Sequence, residues 1–407
     1  MTNKPSSLRI IICGAGIAGL AAAAALATHH QVIVLERKEE LTEVSYAINL
    51  KPNAAHAAYG VVGLDPSKVR GLPCREIIER DAANGDIKMH KPVDAPADFG
   101  GPWYFCQRTE LHAELLATAK ARGAKVILGT EIEDVNATHG VVLIKGGDAM
   151  VADMVLIADG ISSRLRKRVL QQETDYRWDS DQVAFRAFVP AERFRDQPEL
   201  KWLAEQKSGG LYVWAAQKQR VVVYPCPDYV NLVAIVDKAH LQRQSGGSDL
   251  GRESNTETAD AMRSQFADFD STVKKLLDKV PHASLWPLFD VSCLPYYERE
   301  RALLIGDAAH ATLPHQGQGA SLAFEDAEGL AYLFCNGSVT PHDVSRVLKK
   351  FTELRRARVH MIQHFSRVMA KPASYEKGEK LDALRFAAQT LTFKSIAELE
   401  TSTAPHD

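Results

Sequence analysis

The 407-residue sequence has no excess charge of either sign, with 49 basic residues against 51 acidic ones. Neither a nucleic acid nor an anionic membrane surface is therefore expected as a partner, because such surfaces attract a net basic protein. Cysteine is also scarce: six residues are scattered without a CxxC pair or another paired metal-ligand spacing. This usage predicts no metal site and no disulfide framework, and it favours a reducing compartment.

Long apolar runs are absent as well. The longest apolar helix expected, residues 19–27, is too short to cross a bilayer. The polar start of the sequence, MTNKPSSLR, lacks the apolar stretch of a signal peptide. We therefore expect a soluble cytoplasmic protein. No internal repeat or low-complexity segment occurs, and the length fits two domains or one large one.

The first glycine motif follows a compact apolar run at residues 8–13. It reads Gly14-Ala15-Gly16-Ile17-Ala18-Gly19 and leads into an alanine-rich segment of high helix propensity. The next apolar run ends at Glu36, about 20 residues after the second glycine. These are the parts of a dinucleotide-binding βαβ unit, but they do not choose between NAD and FAD. Because no second GxGxxG occurs, we expect no separate nicotinamide-binding domain.

A second glycine-rich stretch lies between Arg301 and Leu330. It combines a short apolar strand, a loop rich in Gly and Pro, and a helical pattern that begins near Gly319. Backbone N–H groups at such a helix start can face an anion, and glycines leave room for a flat ligand. Asp307, just after the strand, is placed to bind a sugar-like hydroxyl. The alternative is an ordinary strand-to-helix connection with turn glycines.

Three strings in this stretch carry a family resemblance. Residues 306–310 (GDAAH), 314–319 (PHQGQG) and 325–327 (EDA) resemble the second flavin fingerprint of the single-component FAD-dependent aromatic hydroxylases, in particular the salicylate hydroxylase-like branch. The resemblance implies an α/β fold with a Rossmann-like FAD-binding domain, an interleaved antiparallel-sheet substrate domain and C-terminal helices. It also implies FAD, NAD(P)H as a transient co-substrate, and hydroxylation of an electron-rich aromatic ring with O2 through a flavin C4a-hydroperoxide.

The resemblance also assigns the cofactor contacts. Arg108 would reach the ribityl or phosphate region, Arg37 would lie near the adenosine ribose, and Asp159 would contact the pyrophosphate region and the reductant. The complete expected set is Gly14, Gly16, Ile17, Ala18, Gly19, Glu36, Arg37, Arg108, Asp159, Asp307, Gly317, Gln318, Gly319 and Ala320. The helix start at residues 317–319 would place positive potential at the flavin N1–C2=O edge.

The substrate side is expected in a sheet that begins near Gln182, where apolar and polar residues alternate as in antiparallel strands. Tyr224-Pro225 matches a family pair, but Arg220 occupies a position where salicylate-type relatives often have histidine. Since a guanidinium is a poor base, Arg220 is expected either to hold a substrate anion beside Tyr224 or to face solvent. By the resemblance, Pro314 and His315 complete the catalytic set.

Two further segments, one at Tyr46 and one near the C-terminus, carry structural predictions. Tyr46 departs from the family segment beside the isoalloxazine, and it either covers the core or narrows the flavin entrance. Near the C-terminus the pattern predicts a long amphipathic helix, and its cluster Arg355-Arg356-Ala357-Arg358 is expected on a solvated face. Residues 371–407 resemble no known pattern.

These assignments predict a discontinuous chain organisation. The FAD-binding domain would comprise residues 1–72, 103–180 and 290–345, the substrate domain residues 73–102 and 181–289, and a helical region residues 346–407. A small aromatic substrate and O2 are the expected partners, and monomer and homodimer both stay open. The alternatives for function are another oxygenation on the same fold (epoxidation or oxidative dearomatisation), or a flavin-binding redox or interaction protein without turnover.

Overall fold

The structure is a computed structural model that describes residues 7–41, 46–205, 208–245, 254–335, 339–370 and 383–402. Its strands are β1 Arg9–Cys13, β2 Gln31–Leu35, β3 Ala47–Leu50, β4 Gly71–Asp81, β5 Ile87–Pro92, β6 Tyr104–Gln107, β7 Lys125–Ile127, β8 Ile132–Asn136, β9 Val141–Ile144, β10 Ala149–Val151, β11 Met154–Ile157, β12 Arg177–Pro190, β13 Gly209–Ala215, β14 Gln219–Cys226, β15 Tyr229–Asp237, β16 Ser284–Val291, β17 Glu298–Arg299 and β18 Ala302–Leu304.

The helices are α1 Ile17–Leu26, α2 Pro52–Ala55, α3 Ala95–Phe99, α4 Arg108–Ala121, α5 Arg166–Leu170, α6 Lys201–Glu205, α7 Lys238–Ser245, α8 Thr256–Gln265, α9 Ser271–Asp278, α10 Asp307–His310, α11 Gly319–Cys335, α12 Val344–Ala370, α13 Ala383–Leu391 and α14 Ala397–Ser402. A π-helical turn follows α2, and 3-10 turns occur at Ala191–Phe194 and Pro314–Gln316. Within the described ranges, no helix has the length and apolar character needed to cross a membrane.

A six-stranded sheet carries the first glycine motif. Its order is β17-β18-β11-β1-β2-β7, and every neighbouring pair except β17 with β18 is parallel. The apolar run of β1 is buried because both faces of a parallel sheet are covered. Helix α1 buries its alanines and contacts both α4 and α11. The Rossmann-like unit expected from the βαβ pattern is confirmed.

A nine-stranded sheet forms the second large unit, in the order β16-β12-β15-β14-β13-β4-β6-β3 with β5 paired to β4. Its strands pair antiparallel except β13 with β4. Alternation gives the sheet two different faces. Phe185 and Val221 point to a core formed with α8 and α9, whereas Arg186 and Val222 point to a cavity. The antiparallel sheet expected after Gln182 is confirmed.

Three of the five predicted domain limits fall inside strands. β4 runs through the limit at residues 72–73, β12 through 180–181 and β16 through 289–290. Moreover, β3 and β6, which the sequence assigns to the FAD-binding domain, belong to the nine-stranded sheet. The division of the chain into these domains therefore stays a prediction.

Helix α12 packs its inner face onto the core, and this corrects the expectation of a solvated arginine cluster. Arg355 is 0% exposed and Arg358 is 7% exposed, whereas Arg356 is exposed. Positions three apart share a helix face, so 355 and 358 lie beside the buried Ile362. The expectation was wrong because acidic side chains of α11 neutralise both buried guanidinium groups.

Candidate active site

The turn between β1 and α1, together with the first turn of α1, contains three glycines with different roles. Gly14 has φ +112°, and a Cβ there would lie 2.6 Å from the Ala158 carbonyl oxygen. A Cβ on Gly19 would lie 2.0 Å from the Gly14 carbonyl oxygen, so the helix needs this glycine to approach the strand. A Cβ on Gly16 would meet no protein atom within 4 Å, and Gly16 lines the cavity. This open backbone at a helix start suits a phosphate group.

Glu36 lies at the end of β2, beside this turn. Its Oε2 accepts a hydrogen bond from the Ala15 N–H at 2.9 Å, and its Oε1 accepts one from the Lys38 N–H at 3.0 Å. Arg37 is exposed, and Asp159 is exposed after the end of β11. None of the three acidic or basic residues predicted here, Glu36, Arg37 and Asp159, lines the cavity. Their contacts with a cofactor stay predictions.

Asp307 follows β18 at a turn that requires glycine. Gly306 has φ +57°, and a Cβ there would lie 2.5 Å from the Ala18 side chain. The Asp307 carboxylate is accessible from the cavity. The protein that surrounds it on its other sides raises its pKa, and the charges of His310 and Arg108 oppose that rise. A carboxylate in this position can accept a hydrogen bond from a nucleotide hydroxyl.

Lys51 holds the second glycine loop. Gly317 has φ +54° directly after the 3-10 turn, and α11 begins at Gly319. The Lys51 Nζ donates to the Gln316 carbonyl oxygen at 2.6 Å and lies 5.2 Å from the centre of the Trp103 ring. Burial lowers the pKa of Lys51 from its ordinary value of 10.5 to about 8. The lysine adds positive charge where this loop meets the cavity.

His315 is fixed by hydrogen bonds at both ring nitrogens. The Gln182 amide nitrogen donates to Asp237 at 3.2 Å and to the Ala370 carbonyl at 3.1 Å, which leaves its Oε1 as an acceptor. The His315 Nε2, 3.0 Å from that oxygen, therefore carries the proton, and its Nδ1 accepts from the Arg220 Nη1 at 3.4 Å. Burial and the Arg220 charge lower the pKa of His315 to about 3. His315 is thus a neutral link between two strands and the loop.

Arg220 and Tyr224 lie on the same face of β14, as their spacing of four residues predicts. Both line the cavity together with the 3-10 turn that contains the other two residues predicted as catalytic. Arg220 is half-buried against His315 and does not lie in open solvent. The Tyr224 hydroxyl donates to the Ala47 carbonyl oxygen at 3.3 Å, and burial raises the pKa of Tyr224. The structure therefore brings Arg220, Tyr224, Pro314 and His315 together.

Tyr46 lies between two arginines. The Arg108 Nε donates to the Tyr46 hydroxyl at 2.7 Å, and the guanidinium carbons of Arg108 and Arg186 each lie 5.4 Å from the centre of the Tyr46 ring. Tyr46 lines the cavity, so it occupies space on the ligand side as well as covering the core. Its effect on flavin access stays a prediction.

A network of buried charged residues on α11 and α12 supports the second glycine loop. Arg355 pairs with Glu325 at 2.6 Å and with Asp326 at 3.0 Å, and Arg358 pairs with Glu325 at 2.7 Å. Although burial raises it, these two arginines bring the pKa of Glu325 to about 2. The Asp326 Oδ2 accepts a hydrogen bond from the Gly306 N–H at 2.9 Å. The EDA string thus joins the turn before Asp307 to helix α12.

These elements enclose a cavity of about 1430 Å³. The predicted cofactor residues that line it are Gly16, Ile17, Ala18, Arg108, Asp307, Gly317, Gln318, Gly319 and Ala320. Gly14 and Gly19 determine the conformation of the β1–α1 turn but do not line the cavity. Ordinary ligand pockets measure about 300–1,000 Å³, so this cavity has room for a dinucleotide and a smaller second molecule. The open backbone at Gly16, the accessible Asp307 carboxylate and the start of α11 fit FAD.

Sequence reasoning missed Lys51, Gln182 and Arg186. Two of them gave a signal, because Lys51 and Arg186 are lone charges in the apolar segments AINLKPNAA and VAFRAFVP. Buried lysine and arginine are rare unless they have a partner. Gln182 gave none, because its partner His315 is 133 residues away in the sequence.

Comparisons with known proteins agree with this geometry. A family model described as an FAD binding domain matches residues 7–366. Hispidin-3-hydroxylase of Neonothopanus nambi is 27% identical over 383 residues, which cover 89% of this chain and 88% of the relative. Salicylate hydroxylase of Pseudomonas putida is 27% identical over 381 residues, with 90% and 86% covered. A solved salicylate hydroxylase substrate complex superposes with a TM-score of 0.77 at 24% identity, covering 98% of this chain and 99% of that one, which shows a shared fold.

Proposed function

The chain belongs to the FAD binding domain family and is an FAD-dependent monooxygenase, and we propose that it hydroxylates an electron-rich aromatic ring with NAD(P)H and O2. The shared cavity carries this proposal. The β1–α1 turn and the loop before α11 form one side of it, and a face of the antiparallel sheet forms the opposite side. A cofactor on the first side and a small ring on the second would meet in one enclosed space.

Several residues of the first side are suited to hold the cofactor, which supplies the activation of O2 when bound. Gly16 leaves the backbone open to the pyrophosphate, and Asp307 accepts a hydrogen bond from a hydroxyl. Arg108, oriented by its bond to Tyr46, faces the same space. The N-terminus of α11 and the Lys51 ammonium would together stabilise a negatively charged edge of the cofactor.

The opposite side is suited to hold the ring. Val222 and Val233 are cross-strand neighbours on the cavity face, and they would keep water from the reacting carbon. Arg220 and Tyr224 lie at this face and are able to form hydrogen bonds with a phenolic oxygen. His315, neutral and held by Gln182, keeps Arg220 in position. We therefore assign to Arg220 and Tyr224 the orientation of the ring.

The names of the relatives support an aromatic substrate, since one is a hydroxylase of hispidin and another of salicylate. The reductant is proposed to bind transiently, because the described part of the chain contains one Rossmann-like sheet and that sheet carries the FAD motif. A cytoplasmic location is an expectation from cysteine usage.

A substrate-stimulated turnover assay tests the function. The FAD-loaded protein is mixed with NADH or NADPH and a panel of phenols, and both coenzyme oxidation and product mass are recorded. We expect slow flavin reduction by the coenzyme alone, a large acceleration by at least one phenol, and a product with one added oxygen atom. Fast reduction that no aromatic compound changes, without any oxygenated product, would contradict the proposal and favour a redox protein.

A further inference from the structure

Arg186 lies on the cavity face of the nine-stranded sheet. It pairs across to Val233 of β15, which pairs in turn with Val222 of β14, and all three residues line the cavity. Alternation along β12 sends its neighbours Phe185 and Ala187 into the core on the opposite face. A half-buried cation therefore projects from an apolar part of the sheet into the cavity.

Two aromatic rings hold the Arg186 guanidinium in place. Its central carbon lies 5.4 Å from the centre of the Tyr46 ring and 5.5 Å from that of the Trp286 ring. Trp286 is itself fixed, because its Nε1 donates to the Ser284 hydroxyl at 2.8 Å. The ring faces attract and position the cation, but they neutralise no charge.

Arg186 has no anionic partner in the part of the chain that the structure describes. Its Nε is enclosed and has no hydrogen-bond acceptor there. The residue as a whole is half-buried and borders the cavity. Arg108 and Arg220 also line the cavity, but each donates a hydrogen bond there, to Tyr46 and to His315 respectively. Since a cation that is partly withdrawn from water without a counter-charge is unfavourable, an anionic ligand is the partner that this arrangement suits.

We propose that Arg186 binds the carboxylate of an aromatic acid, end-on through its two terminal nitrogens. The planar guanidinium matches the two carboxylate oxygens, and the rings of Tyr46 and Trp286 keep it in that orientation. The substrate of this monooxygenase is then a hydroxylated aromatic acid whose ring lies against Val222 and Val233. The inference rests on the proposed hydroxylation, and it adds the charge of the substrate and the residue that recognises it.

Binding of matched acids and amides tests this assignment without turnover. Salicylate with salicylamide, and 4-hydroxybenzoate with 4-hydroxybenzamide, are titrated into the FAD-loaded protein in the absence of reductant. The dissociation constant is read from the change in flavin absorption. For at least one pair we expect the acid to bind about ten- to a hundredfold more tightly than the amide, as charge-assisted hydrogen bonds do.

Substitutions then test whether Arg186 is the residue that recognises the carboxylate. Arg186→Met should reduce the preference for the acid to within about threefold while amide binding stays unchanged, and Arg186→Lys should keep part of it because an ammonium lacks the planar fork. Arg177→Met is the matched control: Arg177 also lies on β12 and over a ring, that of Phe289, but it is paired with Asp175 and does not line the cavity. It should bind both ligands as the wild type does.

Three outcomes would overturn the inference. They are an acid preference that survives in Arg186→Met, a preference that Arg220→Met abolishes while Arg186→Met keeps it, and amides that bind as tightly as every acid tested. If Arg186→Met does not retain FAD, the acid and amide dissociation constants of Arg186→Lys decide whether the inference holds. Hydroxylation of neutral phenols without any acid preference would leave the proposed function intact, whereas failure to oxygenate any aromatic compound would remove the function itself.

Discussion

Lys51 brings an ammonium group into a place where only 9% of the residue is exposed. Its hydrogen bond to the Gln316 carbonyl and its contact with the Trp103 ring do not replace full hydration, so its pKa falls from 10.5 to about 8. Between these two pH values the unfolded chain binds a proton that the folded chain does not. The stability of the wild type should therefore rise as the pH rises through this window.

The substitution Lys51→Met removes this pH dependence. A pKa difference of this size means that the buried ammonium lowers the unfolding free energy of the wild type by about 3 kcal/mol. This destabilisation is present in full below pH 8 and is lost by pH 10.5. The lost hydrogen bond subtracts about 1 kcal/mol at every pH. The apoprotein variant should therefore be more stable than the wild type by about 2 kcal/mol at neutral pH, and this advantage should disappear in alkali. Urea unfolding across the window measures it.

The exposed Lys218 provides the control for this measurement. Lys218→Met should give a stability curve parallel to that of the wild type. A constant difference between Lys51→Met and the wild type from neutral to alkaline pH would show that burial does not perturb the amine of Lys51.

At the scale of elements, the glycine motif at the β1–α1 turn contains glycines that are required for two different reasons, one by the backbone and one by the ligand. Gly14 is required by the backbone, since a side chain there is strained and collides with Ala158. Gly16 has an ordinary extended conformation, φ −75° and ψ −176°, and open space where a side chain would be. Only the ligand therefore requires glycine at position 16.

Valine substitutions at the two positions should have different effects. Gly16→Val should change the stability of the apoprotein by less than about 1 kcal/mol, whereas FAD content after purification should fall from about one per chain towards zero because the side chain fills the pyrophosphate space. Gly14→Val should cost about 3–5 kcal/mol through strain and overlap. Flavin absorbance and thermal unfolding of the apoproteins measure both. Normal FAD content in Gly16→Val would refute this placement of the cofactor.

The same turn shows why part of the site was predictable from sequence. The local geometry of the motif and its ligand require the glycines at positions 14, 16 and 19 and the acid Glu36. Their spacing in the sequence was therefore enough to predict them. The contact of Gln182 with His315 depends on how β12 reaches a loop far away in the chain, and no local pattern records it. Arg186 could be recognised as a lone charge on an apolar strand, but its face and its two rings required the register of three strands.

At the scale of the whole molecule, Arg355 connects helix α12 to the nucleotide-binding unit. Its partners Glu325 and Asp326 lie on α11, and Asp326 in turn holds the Gly306 N–H at the turn before Asp307. Helical periodicity predicted α12, but it treats arginine as a surface residue. Burial of Arg355 depends on carboxylates about 30 residues earlier in the chain, which is why the sequence pattern assigned it wrongly.

Arg355→Leu should destabilise the protein by about 3–5 kcal/mol, because it leaves the buried Asp326 without an arginine and Glu325 with Arg358 alone. The adjacent Arg356 is exposed, so Arg356→Leu should change stability by less than about 0.5 kcal/mol. Urea unfolding of the two variants, with FAD content as a second reading, compares them directly. Equal effects of the two substitutions would show that the buried network contributes no stability.

The order of strands in the six-stranded sheet also constrains how the chain folds during its synthesis. β1, β11 and β18 are neighbours, yet they come from residues 9–13, 154–157 and 302–304. At about 5–20 residues per second, β1 is made roughly 15–60 seconds before the strand that completes this side of the sheet. Parallel pairing over such separations is slow. Until then the fully buried sequence of β11, MVLI, is an unpaired apolar edge open to chaperones and to other nascent chains.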